Sequence, residues 1–230
     1  MKKTIEIAGR KIGIGYSPYI IAEMSGNHNG DIDRAIELIK AAKDSGADAV
    51  KLQTYTADTI TIDHKSDEFL VKDGLWKGKY LYELYRSAST PWEWHERLFN
   101  EARDLGITIF SSPFDHTAVD YLEGLATPAY KIASFELIDL PLIRKVALTK
   151  KPIIMSTGNA SLSEIDEAVK TALDSGNNNI ILLHCTSGYP TPALEANIST
   201  IPALAACFDL NVGLSDHTMD IGVSVGAVVL

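Results

Sequence analysis

Apolar residues along this chain fall into short continuous runs that alternate with stretches of helical spacing, and most runs end on a polar or charged side chain. Residues 4–15 alternate as Thr-Ile-Glu-Ile, turn at Ala8-Gly9-Arg10-Lys11 and return through Ile12-Gly13-Ile14, which predicts a hairpin. A first strand is predicted over 19–23. The polar turn Ser25-Gly26-Asn27-His28-Asn29-Gly30 follows, and then a helix from Asp31 with Ile32, Ala35, Ile36, Ile39 and Ala42 on one face. Strand two spans 47–53. An insertion holding Phe69, Trp76 and Tyr80-Leu81-Tyr82 then runs to about residue 89. Thr90-Pro91-Trp92-Glu93 reads as a helix start with Thr90 as cap and proline at the first helical position. Strand three spans 107–112.

The same unit recurs downstream. Strands four to seven are predicted over 129–134, 152–156, 179–185 and 211–215. Helices start near Pro141 and at the capping box Ser161-Leu162-Ser163-Glu164, cover 198–207, and occupy the segment from about 220 to 230. Strand six, Ile-Ile-Leu-Leu, is apolar throughout, as a strand covered on both faces would be. Strands alternating with helices predict a parallel α/β architecture, read here as a (β/α)8 TIM barrel preceded by the N-terminal β-hairpin. The rival is a doubly wound sheet. It would carry Gly-x-Gly-x-x-Gly after strand one, which is absent, and would gather polar residues at one crevice instead of at nearly every strand end. The strand count stops at seven, and the apolar stretch 223–230 has no cap. The expectation is a single barrel domain over 1–230, incomplete at its C-terminus, with an apolar edge.

Composition narrows the function. A chain of 230 residues fits one large α/β domain. With 21 Lys and Arg against 30 Asp and Glu, the net charge of −9 argues against a general nucleic-acid binder, which needs clustered cations. An anionic ligand must therefore meet a local cationic focus. Two cysteines, Cys185 and Cys207, are too few for a disulfide framework, which points to a reducing cytoplasm. No hydrophobic signal core opens the chain, and no apolar stretch approaches the roughly 20 residues of a membrane span, so no membrane association is expected.

Two lysines supply that focus. Lys51 and Lys131 sit inside apolar strands, where an ammonium is costly without an anion or partner. Lys51 and Gln53 are two apart and share a strand face; a buried ion pair between Lys51 and Glu23 is compatible with a role in binding. Glu23, ending strand one, faces either the barrel mouth or solvent. Lys131 and Ser134 are three apart and reach a common point only if the strand bends or ends between them. Hydroxyls recur at strand ends: Ser111-Ser112, Ser134, Ser156-Thr157, Thr186-Ser187 and Ser215. One such serine is explained by helix capping; five strand ends beside two lysines make a phosphate or carboxylate cradle. Of six histidines, His64, His95 and His116 read as surface residues, His28 as a turn residue and His184 as a core histidine. His217, after Ser215-Asp216 at the end of strand seven, is the candidate ligand, although a divalent metal needs several.

Several segments occur here in one order: Ile21-Ala22-Glu23 with Asn27-His28-Asn29-Gly30, Gly46 to Gln53, Tyr130-Lys131-Ile132-Ala133-Ser134, Ser156-Thr157-Gly158, His184-Cys185-Thr186-Ser187-Gly188-Tyr189-Pro190 and Gly213-Leu214-Ser215-Asp216-His217-Thr218. Together they resemble the sialic acid synthase family over nearly the whole chain. Leu81-Tyr82-Glu83-Leu84-Tyr85, Thr90 to His95, Thr54 to Thr59 and Ala133-Ser134-Phe135-Glu136 are similar to its pseudaminic acid synthase branch. The resemblance implies a (β/α)8 barrel that condenses phosphoenolpyruvate with an open-chain acetamido sugar. It also implies a C-terminal antifreeze-like domain, absent from these residues, and a homodimer at full length. Carried over by position, Lys51, Lys131, Ser112, Ser134, Ser156, Ser187 and Ser215 would surround phosphoenolpyruvate. Glu23 would be the catalytic carboxylate, with Gln53, Glu136 and Tyr189 near the sugar. His217 would be one of two histidine ligands to Mn or Mg, the other lying beyond residue 230. Asn159 and Ser187-Gly188 depart from the family pattern, which usually has methionine and asparagine with a bulkier residue there. Products leading to N-acetylneuraminate or legionaminic acid stay open. So do a Schiff-base aldolase using a desolvated lysine and a non-catalytic sugar-phosphate binding module.

Overall fold

A computed structural model describes residues 4–230, and the predicted alternation of strand and helix is present in it. Strands β1 (Ile5–Ile7) and β2 (Arg10–Ile12) pair antiparallel, Ile5 opposite Ile12. Their turn residues Ala8 (φ 47°) and Gly9 (φ 82°) are both left-handed, the backbone that matches the twist of a two-residue hairpin. The chain then divides into two compact units. One is Tyr19–Thr127, and the other joins the segment up to Pro18 to Pro128–Leu230.

In the Tyr19–Thr127 unit, β3 (Ile21–Glu23), β4 (Ala49–Thr54) and β5 (Thr108–Pro113) are parallel, with Glu23 beside Lys51 and Gln53 beside Ser112. Helix α1 (Ile32–Asp44) starts at Asp31, whose side chain accepts from Asp33 N and Arg34 N, and buries the predicted Ala35, Ile36, Ile39 and Ala42. The insertion holds a single turn, α2 (Ala57–Ile60), an antiparallel bridge between Leu70 and Tyr80, and α3 (Leu81–Ala88). Helix α4 (Trp92–Asp104) begins one residue later than expected. Pro91 (φ −53°, ψ 134°) is the cap, because the Thr90 hydroxyl is engaged by His28 Nε2 at 3.2 Å. Helix α5 (His116–Gly124), which the sequence reading did not place, is capped by Asp115 and buries Ala118, Val119 and Leu122.

The Pro128–Leu230 segment repeats the unit four times. Strands β6 (Tyr130–Ile132), β7 (Ile153–Ser156), β8 (Ile180–Cys185) and β9 (Asn211–Ser215) pair parallel in that order. They alternate with α6 (Leu140–Leu148), α7 (Leu162–Asp174), α8 (Thr200–Phe208) and α9 (Ile221–Val229). The capping box at Ser161 and Glu164 is formed as read from sequence. Strand β8 is buried through Ile180, Ile181 and Leu182, as its continuous apolar run required. Within each unit every strand pairs parallel with its neighbour in the chain, β3-β4-β5 in one and β6-β7-β8-β9 in the other. That is the order expected of the (β/α)8 class and not of the doubly wound rival, whose strand order reverses. Among the described residues no helix is long and apolar enough to cross a membrane.

Candidate anion-binding and catalytic residues

Strand ends position the chemistry. Glu23 closes β3, Ser156 closes β7 and Ser215 closes β9, while Lys51, Ser112 and Lys131 lie inside β4, β5 and β6. In the Tyr19–Thr127 unit, Lys51 is 9% exposed and its Nζ forms an ion pair with Glu23 Oε2. The same amine donates to Ser112 Oγ at 3.4 Å. Ser25, which the sequence reading passed over, joins them: its backbone N–H donates to Glu23 Oε1 (3.0 Å) and its hydroxyl to Gln53 Oε1 (3.2 Å). Glu23, Lys51, Gln53 and Ser112 are therefore one connected cluster, with Glu23 exposed at its rim.

In the other unit, β6 ends at Ile132 and Ser134 opens a 3-10 turn over Phe135–Ile138 with φ −61° and ψ −39°. That break is what Lys131 and Ser134 needed to approach a common point. Lys131 is 7% exposed. Glu136, on the turn, is pushed up to about 7 by burial, with the Lys131 charge pulling the other way, and its Oε2 is buried without a partner. Ser156 Oγ is likewise fully buried and unpartnered, a cost that a bound acceptor or donor removes.

Gly158 marks where these groups converge. A Cβ there would overlap Ser187 Oγ and stand 2.8 Å from Ser134 Oγ and 3.2 Å from Cys185 Sγ. Two hydroxyls and a thiol thus crowd onto a backbone left bare by glycine. Burial raises the Cys185 thiol, but hydrogen bonds with His217, Ser134 and Ser187 and the His217 charge outweigh it and leave the thiol at about 6. His217 is pushed up in turn, chiefly by that hydrogen bond; its Nδ1 lies 4.0 Å from Cys185 Sγ and donates to Thr186 O at 3.1 Å. Tyr189 lies against the His217 ring, centroids 4.3 Å apart. Ser215 lines a small recess with Thr186, Thr191, Asp216, His217 and Thr218. Gly158→Ala is expected to displace both serines and weaken anion binding on the order of tenfold, read by titration calorimetry; unchanged affinity would remove Gly158 from the cradle.

His217 offers one imidazole. Among the described residues no three His, Cys, Asp or Glu side chains gather to hold a metal ion. A divalent ion takes several such ligands, so these residues do not make up that site by themselves. Two histidine readings divide. His184 is the satisfied core histidine expected, its Nε2 at 2.7 Å from Ala196 O. His95 is not on the surface: it is fully buried on α4, bonded to Thr54 and to Pro91 O, because the apolar face of α4 includes its position.

Comparison with known proteins adds relatives. A pseudaminic acid synthase of Helicobacter pylori is 49% identical over 88% of this chain, and one of Campylobacter jejuni is 45% identical over 92%. The chain spans 59% and 62% of the lengths of those two proteins. The crystal structure of N-acetylneuraminic acid synthetase from Leptospira borgpetersenii in complex with citrate, at 30% identity, superposes with a TM-score of 0.88, covering 99% of this chain and 74% of that one. Residues 38–230, most of both units, match the NeuB family, and the chain belongs to that family.

Proposed function

We propose that this chain carries the barrel of a synthase that joins phosphoenolpyruvate to an open-chain acetamido sugar aldehyde, with pseudaminic acid as the product. The observation that carries the reading is the cradle at Gly158, where Ser134, Ser187 and Cys185 converge in the unit that also buries Lys131 and the unpartnered Ser156 hydroxyl. The serine hydroxyls and the Lys131 ammonium suit a small, highly charged anion.

In this reaction C3 of phosphoenolpyruvate forms the new carbon–carbon bond to the aldehyde carbon, and the aldehyde oxygen takes a proton. Glu136, whose carboxyl exchanges its proton near neutrality, is assigned as that acid, near the sugar with Tyr189. Water then adds at C2, with Glu23 assigned to take its proton. The C2–O bond breaks, orthophosphate leaves and a 2-keto acid remains. Lys131, Ser134, Ser156, Ser187 and Ser215 offset the phosphate and carboxylate charge, with Lys51 and Ser112 as further anion contacts and Gln53 as a sugar contact. His217 is assigned one position on a divalent ion completed by ligands outside the described residues, and no step here depends on it. The same reading includes a homodimer. Phe135, Ile138, Leu194, Met219 and Ile221 are exposed and follow strand ends, a rim suited to cover by a partner copy.

Phosphoenolpyruvate titrated into the chain is expected to bind and to be displaced by orthophosphate. Orthophosphate release by the protein, across acetamido sugars leading to pseudaminic, legionaminic and N-acetylneuraminic acids, is expected to be fastest with the first. Absence of binding overturns the class, a borohydride-trapped lysine adduct favours the aldolase, and preference for another sugar overturns the product.

A further inference from the structure

Strands β4 and β5 are braced on both faces. Side chains alternate across a strand, so Lys51 and Gln53 stand on one face of β4 while Leu52 and Thr54 stand on the other; Ser112 and Ser111 divide in the same way on β5. On the first face Lys51, opposite Phe110, reaches forward to Ser112. On the second face Thr54, opposite Pro113, reaches back to Ser111, with the hydroxyl oxygens 2.6 Å apart. The two diagonals cross. Proline has no N–H to give the ladder at the Thr54 register, so a side-chain bond is available there to hold the strand ends together where the backbone cannot.

His95 orients the second diagonal. Its Nδ1 lies 3.1 Å from Pro91 O, a carbonyl that can only accept, so Nδ1 carries the proton. Nε2, 2.9 Å from Thr54 Oγ1, must then accept from the threonine hydroxyl, which in turn accepts from Ser111. Every donor in the chain Ser111, Thr54, His95, Pro91 has one acceptor, and all three side chains are fully buried. Burial pushes the imidazole down to about 4, which keeps Nε2 an acceptor at neutral pH.

We propose that His95, acting through Thr54 and Ser111, is a positioning residue that fixes the β4–β5 register holding Lys51 against Glu23 and Ser112. This rests on the proposed function only in the meaning it gives to Lys51. The test therefore reads the lysine directly, by mass spectrometry of reductive methylation, with Lys131 in the other unit as internal control. Thr54→Val removes the hydroxyl at constant shape. His95→Asn keeps a group near Nδ1 but leaves Thr54 no acceptor, whereas His95→Gln places an amide oxygen near Nε2. Thr54→Val and His95→Asn are expected to raise Lys51 modification about tenfold with Lys131 unchanged, and His95→Gln to stay near wild type. Lys51 and Lys131 rising together would mean general loosening and overturn the proposal. Unchanged Lys51, or His95→Gln behaving like His95→Asn, would overturn it as well. None of these readings involves phosphoenolpyruvate, so its failure to bind would fall on the proposed function alone.

Discussion

Replacing Lys131 with alanine is expected to weaken phosphoenolpyruvate binding by roughly 100-fold, the upper range for losing a charge-assisted contact to a buried anion. The ammonium is almost wholly out of water on β6, so its attraction for phosphate is little screened. The cradle around Gly158 would keep its hydroxyls but lose its cation. Lys131→Arg retains the charge on a different shape and should recover part of the affinity. The same change acts on Glu136, whose carboxyl Lys131 pulls downward; without the lysine that carboxyl should move above about 7. A titration isotherm for Lys131→Ala that overlays wild type would dissolve the cradle.

The second large effect is a pH dependence of stability that two residues hide from each other. His95 has a folded pKa of about 4 against 6.5 in the unfolded chain. Between those values the unfolded chain binds more protons, so acid removes stability through that window, about 3 kcal/mol in all, and no more below pH 4. Glu136 runs the other way. Its folded carboxyl lies at about 7 against 4.5 unfolded, so the folded chain binds more protons and stability rises as pH falls from about 7 to 4.5. The contributions of His95 and Glu136 therefore oppose each other over the shared range. Relative to wild type, His95→Gln is expected to gain about 3 kcal/mol between pH 6.5 and 4, and Glu136→Gln to lose a similar amount between pH 7 and 4.5, in urea unfolding midpoints. His28, also pushed down by burial, adds to the acid loss in all three proteins and cancels in the differences. A pH-independent difference for His95→Gln would contradict the buried, neutral imidazole.

The strands and most helices were legible because their signals are local. The apolar run Ile180-Ile181-Leu182-Leu183, the cap at Asp31 and the box at Ser161 each specify structure within one turn or one strand. Helix α5 was missed because its apolar set is short, although Asp115 ahead of Ala118, Val119 and Leu122 was a readable cap. Lys51 and Lys131 were identifiable because a cation inside an apolar run is costly wherever the chain goes. Gly158 and Cys185 were not, since nothing nearby in sequence announces that Ser134, Ser187 and His217 will meet them.

By itself, then, the order of residues determined the strand–helix series, the two buried cations and the family likeness, because periodicity and burial cost act on neighbours in the chain. Only the tertiary structure decided which side chains meet: that Ser25 joins Glu23 to Gln53, that a bare backbone at Gly158 gathers three polar groups, and that His95 is interior. Those outcomes depend on packing between segments tens of residues apart, where one helix face turned toward a strand converts an apparent surface histidine into a buried brace.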